Sequence, residues 1–269
     1  MTPPGASRGG RGPRPTAAIA AIALNTFREG IRDRILYLLL AFALVIIGAS
    51  RFLSLLTVGD ENKIIKDLGL SAISLFGVLT SVFVGVSLVF KEIERRTVIT
   101  LLAKPVSRWQ FVAGKYAGLV AVLGMNVVLM SAVLAGILLF RGESPLPLLP
   151  AELLILVELA LVTAFAILFS SFSNPVLSAV GTAAVYVAGH LSWSFDLLKK
   201  RLPPGAGRTL CDALHAVIPN LDRLDVKAAA VHSLPLPPGG ALWASVYGIA
   251  YSVAVLVVAS WLFGRRDFS

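Results

Sequence analysis

The sequence predicts an all-α polytopic membrane protein with six transmembrane helices, and three observations carry that prediction. Of 269 residues, 57% are hydrophobic and only 14% charged, with a mean hydropathy of +0.82. A water-facing domain needs about 25% charged residues to coat its surface. The apolar residues gather into six runs, each near the roughly 20 residues that cross a ~30 Å hydrocarbon core. None of these runs alternates polar with apolar positions, as strands of a transmembrane barrel would. The single cysteine, Cys211, leaves neither a disulfide framework nor a cysteine-cluster metal site. A net charge of +9 would suggest nucleic acid in a soluble chain. In a membrane protein the placement of the charge matters instead, and no nucleic-acid partner is expected.

Residues 1–15 are rich in Pro, Gly and Arg and read as a disordered tail. Ala17–Leu24 is short and runs into Arg28, Glu29, Arg32, Asp33 and Arg34, which is unlike a secretory leader with its cleavage site. Residues 16–34 are therefore expected to form an amphipathic helix on the cytoplasmic membrane surface. Ile19, Ile22, Ala23, Phe27 and Ile31 would make its apolar face, with Arg28, Arg32 and Arg34 towards anionic headgroups. The expected spans are 35–58, 68–90, 116–140, 153–172, 176–195 and 241–264, together one transmembrane domain over 35–264. Between them lie a long loop at 91–115 and a second at 196–240, and residues 265–269 close the chain.

Six crossings put both termini on one side. That side holds fourteen of the 24 Lys and Arg residues but five of the 15 Asp and Glu residues. The excess of Lys and Arg assigns it to the cytoplasm, giving a multi-pass protein of the cytoplasmic (inner) membrane.

The loop 91–115 is the most distinctive segment. Joining two helices takes only a few residues, and this loop has an apolar stripe of Val98, Ile99, Leu101 and Leu102 between charged ends. Pro105 breaks the segment. Ser107 stands at the N-cap of a helix that Arg108 and Trp109 open and that continues into the third span. These features describe a short helix parallel to the membrane, offering apolar and charged groups to the cytoplasm.

The run Glu92-x-Glu94-x-x-Thr97, then Leu101-Leu102-x-Lys104-Pro105-Val106-Ser107-Arg108 and Gly114-Lys115, resembles the corresponding loop of ABC-2 type permeases. These are membrane subunits of export-type ATP-binding-cassette transporters, and the branch linked to multicopper-enzyme maturation is the most similar. Asn220-Leu-Asp-Arg-Leu-Asp225 and Phe263-Gly-Arg-Arg-Asp-Phe268 are similar to that branch as well. The chain departs from it at Arg96, where many members carry Gly before the threonine. The resemblance implies two permease chains forming a path, in a homo- or heterodimer, driven by cytoplasmic ABC ATPase subunits. It further implies that the loop is a coupling helix seated on the ATPase, with Glu92, Glu94, Arg95, Arg96, Thr97, Lys104, Pro105 and Arg108 as contacts. ATP and Mg would be bound by that partner, and no cofactor by this chain. Gly114-Lys115 is no P-loop, because Trp109 takes the first glycine position and Tyr116 replaces the hydroxyl. The chain is accordingly expected not to be an enzyme.

Three polar residues inside spans are candidates for the translocation path or a helix interface: Glu158, His190 and Asn126. Glu158 is expected near the external interface, reaching headgroup water or staying protonated against a neighbouring helix. His190 and Asn126 are expected to bond between helices. Gly77, Ser81 and Gly85, and likewise Ala244, Gly248 and Ser252, permit close helix approach, within the chain or at a dimer seam. Cys211, Asp212 and His215 do not complete a zinc site, even with His232. The segment 196–240, with a helix expected near 208–217, fits a gate, a cargo-receiving surface or a plain cap equally well. ATP-driven export through this chain is the leading expectation. A membrane anchoring or assembly protein and an ion-gradient-driven carrier are the alternatives, although neither internal repeats nor broken helices favour the carrier.

Overall fold

The computed structural model describes residues 15–54, 60–94, 107–192, 212, 217–235 and 237–265. Its elements are α1 (Pro15–Gly30), α2 (Arg34–Ser54), α3 (Glu61–Glu94), α4 (Arg108–Phe140), α5 (Leu149–Ser170), α6 (Pro175–His190), α7 (Lys227–Val231) and α8 (Gly240–Arg265). Single 3-10 turns, Leu146–Leu148 and Leu221–Arg223, lead into α5 and precede α7. No strand occurs among the described residues.

Five helical stretches are long and apolar enough to cross a membrane: Arg34–Phe52, Glu61–Leu88, Arg108–Phe140, Leu146–Ser170 and Gly240–Phe263. The predicted fifth span is the shorter helix α6, of 16 residues. At 1.5 Å per residue it extends about 24 Å, less than the ~30 Å core. Two predicted boundaries move substantially. The second span starts at Glu61, seven residues before the expected Leu68, and the third starts at Arg108 rather than Tyr116. The reason is that amphipathic turns continue both helices past their apolar windows, where hydropathy alone stops counting.

α3 and α5 form the centre. α3 packs on α2, α4, α5 and α6, while α5 also carries α6 and α8. The small residues of α3 serve that packing. A methyl group added at Gly77 would come within 2.5 Å of Leu159, and the Ser81 hydroxyl lies 2.7 Å from that of Thr163. Gly248 of α8 faces Val157 of α5 just as closely. Both small-residue stripes are thus spent inside one chain, not on a dimer seam.

The apolar face expected of the N-terminal helix packs on α4. Gly114 and Gly118 let the two backbones approach, and a Cβ at Gly118 would stand 2.6 Å from the carbonyl oxygen of Ala23. Phe27 and Ile31 join the cluster around Leu36, Leu88, Phe111 and Phe263. α1 also ends at Gly30, with a turn at 31–32 and Asp33 Oδ1 accepting from the Ile35 amide at 2.9 Å before α2 begins.

Asn174 caps α6 by accepting from the Leu177 amide at 2.8 Å, with Pro175 in the first turn. The second part of the long loop returns into the bundle. Leu221, Leu224 and Val231 are buried, Gly189 sits against Leu221, and the Asn220 amide donates to the Tyr247 hydroxyl at 2.9 Å. The helix expected near 208–217 falls almost wholly outside the described residues.

Candidate functional site

Three polar constructions stand out in a bundle held mainly by apolar packing. The first surrounds the ends of the segment between α3 and α4. Ser107 is extended (φ −73, ψ 150), and its amide donates to Gln110 Oε1 at 3.0 Å, the return half of a capping box. The expected cap is therefore where the sequence put it. The first turns of α4 are anchored on α8: the Arg108 guanidinium donates to the Phe263 carbonyl at 3.1 Å, and the Phe111 and Phe263 rings stack at 5.7 Å.

One turn further, Lys115 is 1% exposed. The sequence assigned it to the loop 91–115, but it lies inside α4, because the helix continues from Arg108. Its ammonium donates to the Leu88 carbonyl at 3.4 Å and lies 3.9 Å from Glu29 Oε2. A buried ammonium is stable only when paired and hydrogen-bonded. Its partners sit on α3 and α1, so one side chain ties three helices together. The sequence missed this residue as a structural node; its signal was the Gly114-x-x-x-Gly118 spacing around it, which announces close packing.

Of the expected coupling contacts, Arg108 is placed as described. Glu92 and Glu94 belong to the last turn of α3. Arg95, Arg96, Thr97, Lys104 and Pro105 lie outside the described residues. Residues near the end of α3 and the start of α4, with parts of α1 and α8, nevertheless share one apolar cluster.

The second construction lies deep in the bundle. Glu158 is fully buried, nine residues and so about 14 Å along α5. It does not reach headgroup water. His190 Nε2 stands 2.7 Å from Glu158 Oε1, and the second carboxyl oxygen, also buried, has no hydrogen-bond partner. Tyr186 meets the His190 ring edge-on at 4.7 Å. Of the two settings expected for Glu158, the one against a neighbouring helix is the one found, because its face of α5 is covered by α6. His190 bonds between helices, as expected. Asn126 does too, donating to Thr80 Oγ1 at 3.3 Å between α4 and α3.

At the opposite end of α3 and α4 the polar groups are numerous and mostly half-buried, with Lys66 buried. Arg141 pairs with Glu61 and donates through Nε to Asn62 at 2.7 Å. Asn62 and Lys66 both donate to Glu143, at 3.0 and 2.9 Å. The hydrogen bond from Lys66, reinforced by that from Asn62, holds the Glu143 carboxyl below its ordinary range.

The profile described as ABC-2 family transporter protein matches residues 20–268. The chain belongs to the ABC-2 transporter family. No curated protein matches it. As an ABC-2 protein the chain is a multi-pass membrane component of a transporter, and the family implies a partner subunit that binds ATP. The match begins at Ala20 and so covers most of α1, making the helix packed on α4 part of the matched region.

Proposed function

We propose that the chain is the permease subunit of an ATP-driven exporter and that residues 91–107 couple it to a separate cytoplasmic ATPase. The single observation carrying this reading is the convergence of α1, α3, α4 and α8 near the end of α3 and the start of α4, with Lys115 and Arg108 as polar ties. A partner pulling on 95–106 acts on helix ends that are already locked, so force enters the bundle instead of bending a loop. α3 and α4 are closed again at the far end by the Arg141, Glu61, Asn62 and Glu143 bonds. The pair therefore moves as one lever about 50 Å long, given 34 and 33 residues.

In this reading all six helices α2–α6 and α8 cross the inner membrane, with α6 and its loop completing the fifth crossing. The end bearing Gly30, Arg108 and Phe263 faces the cytoplasm, consistent with the Lys and Arg excess there. Glu92, Glu94, Arg95, Arg96, Thr97, Lys104, Pro105 and Arg108 set register on the ATPase, and the apolar stripe between them supplies burial. ATP and Mg bind that partner, and a second permease chain completes the path. Nucleotide-driven closure of the ATPases would shift the population between two arrangements of the spans.

The test is a double charge reversal, Glu94→Lys with Arg95→Glu, in the chain purified with its ATP-binding partner. Association should fall about tenfold or more, the size expected for interfacial charge pairs, while membrane insertion is unchanged. Undiminished association contradicts the coupling role.

A further inference from the structure

A groove of about 380 Å³ runs between α4 and α5 on the side away from α1. Gly124, Ala132 and Ala135 hollow its α4 wall, and leucines of α5, among them Leu149 and Leu156, form the other. From Gly124 to Ala135 is eleven residues, about 16 Å of helix, and the groove ends at Pro145, just past the Arg141 and Glu143 level. That length is one half of a ~30 Å hydrocarbon core, the depth of a single leaflet.

One feature is out of place in such a wall. Glu152, half-buried in the first turn of α5, lines the groove, and no Lys or Arg does. Beside it the Ser131 hydroxyl, itself shut off from solvent, is a hydrogen-bonding neighbour of the Glu152 carboxyl. At the interfacial end of an apolar groove a half-buried carboxylate is only partly hydrated and gains from a cation brought beside it. A cation that also donates hydrogen bonds meets that carboxylate best.

We propose that this groove is a binding site for a bilayer aminophospholipid, with one acyl chain along α4 and its primary ammonium on Glu152. The occupant follows from the wall. The apolar length fits one leaflet's chain, and the negative group at the interfacial end calls for a positive headgroup. A primary ammonium carries three N–H donors, whereas a choline headgroup has none. A serine headgroup brings its own carboxylate against Glu152 and is disfavoured. Ethanolamine is left.

Native mass spectrometry of the purified chain, equilibrated with equimolar phosphatidylethanolamine and phosphatidylcholine of identical acyl chains, tests this. Wild type should retain the ethanolamine lipid about tenfold over the choline lipid, as one charge-assisted hydrogen bond provides. Glu152→Gln should bring the ratio close to one without changing the thermal midpoint. Ala132→Phe, which fills the hollow, should reduce both bound lipids. Equal retention by wild type, an unchanged ratio in Glu152→Gln, or a second copy of the chain covering this face in place of lipid would each overturn the assignment.

Discussion

The two ends of the α3–α4 pair are built on opposite principles. At the far end, the half-buried Arg141, Glu61, Asn62 and Glu143, together with the buried Lys66, form a network of several polar groups that bond to one another across these two helices. At the end where α4 begins and α8 closes, the Lys115 ammonium packed against backbone, two glycines and a stacked Phe pair join α1, α3, α4 and α8. Exposed ion pairs are individually weak and replaceable. A buried charge packed against backbone is neither. The contrast teaches that the far end is a latch and the near end a weld, which is what the proposed coupling to an ATPase requires.

The largest break in this contrast comes from Lys115→Glu. It places an unpaired carboxylate in a buried site beside Glu29, and the loss of stability in detergent should be about 3–5 kcal/mol. Next is Gly118→Ala. The added methyl meets the Ala23 carbonyl, which belongs to backbone and cannot swing away, so a cost of about 1–3 kcal/mol is expected. Limited proteolysis at Arg28 and Arg32 should speed up as α1 loosens. Gly136→Ala, where nothing lies within 4 Å of the added carbon, is the matched control and should not lower the melting temperature.

The buried Glu158–His190 pair sharpens the comparison from within the bundle. His190→Ala leaves the carboxyl with no partner and should cost about 1–3 kcal/mol. Glu158→Gln keeps a hydrogen-bonding group facing the imidazole and should cost less. Thermal unfolding of both variants checks the order, and the reverse order would mean that the pair is not the interhelical bond described.

The smallest effect belongs to the latch. Glu143 has a depressed folded pKa, so its contribution to stability is complete above its ordinary value of 4.5 and is lost as pH falls through the lower folded value. The melting temperature of wild type should exceed that of Glu143→Gln by a degree or two at neutral pH, and the gap should close under acid. A gap that widens on acidification would reverse the sign of this account.

Much of the architecture was legible in the sequence because lipid imposes it: long apolar runs must be helices, and Ser107 announced its cap. The interior was less legible for reasons particular to each residue. α1 is amphipathic, and amphipathicity states that one face is covered without stating by what. Lipid and α4 satisfy the same pattern, and only Gly114 and Gly118 distinguish them. Lys115 looked like a loop cation because a hydropathy window ends at a charge, while the helix does not. Glu158 and His190 are 32 residues apart and share no periodicity, so their contact is created by the packing of α5 on α6. Leu221 and Leu224 looked like part of an external loop because Pro and charge surround them, yet their side chains complete the core.

The most direct test of the central claim is site-specific photo-crosslinking with the ATP-binding partner present, using one probe at Thr97 and another at Glu143. The account predicts crosslinks to the ATPase from position 97 that depend on nucleotide, and none from position 143. Crosslinks from 143, or a silent probe at 97 in an assembled transporter, would contradict it.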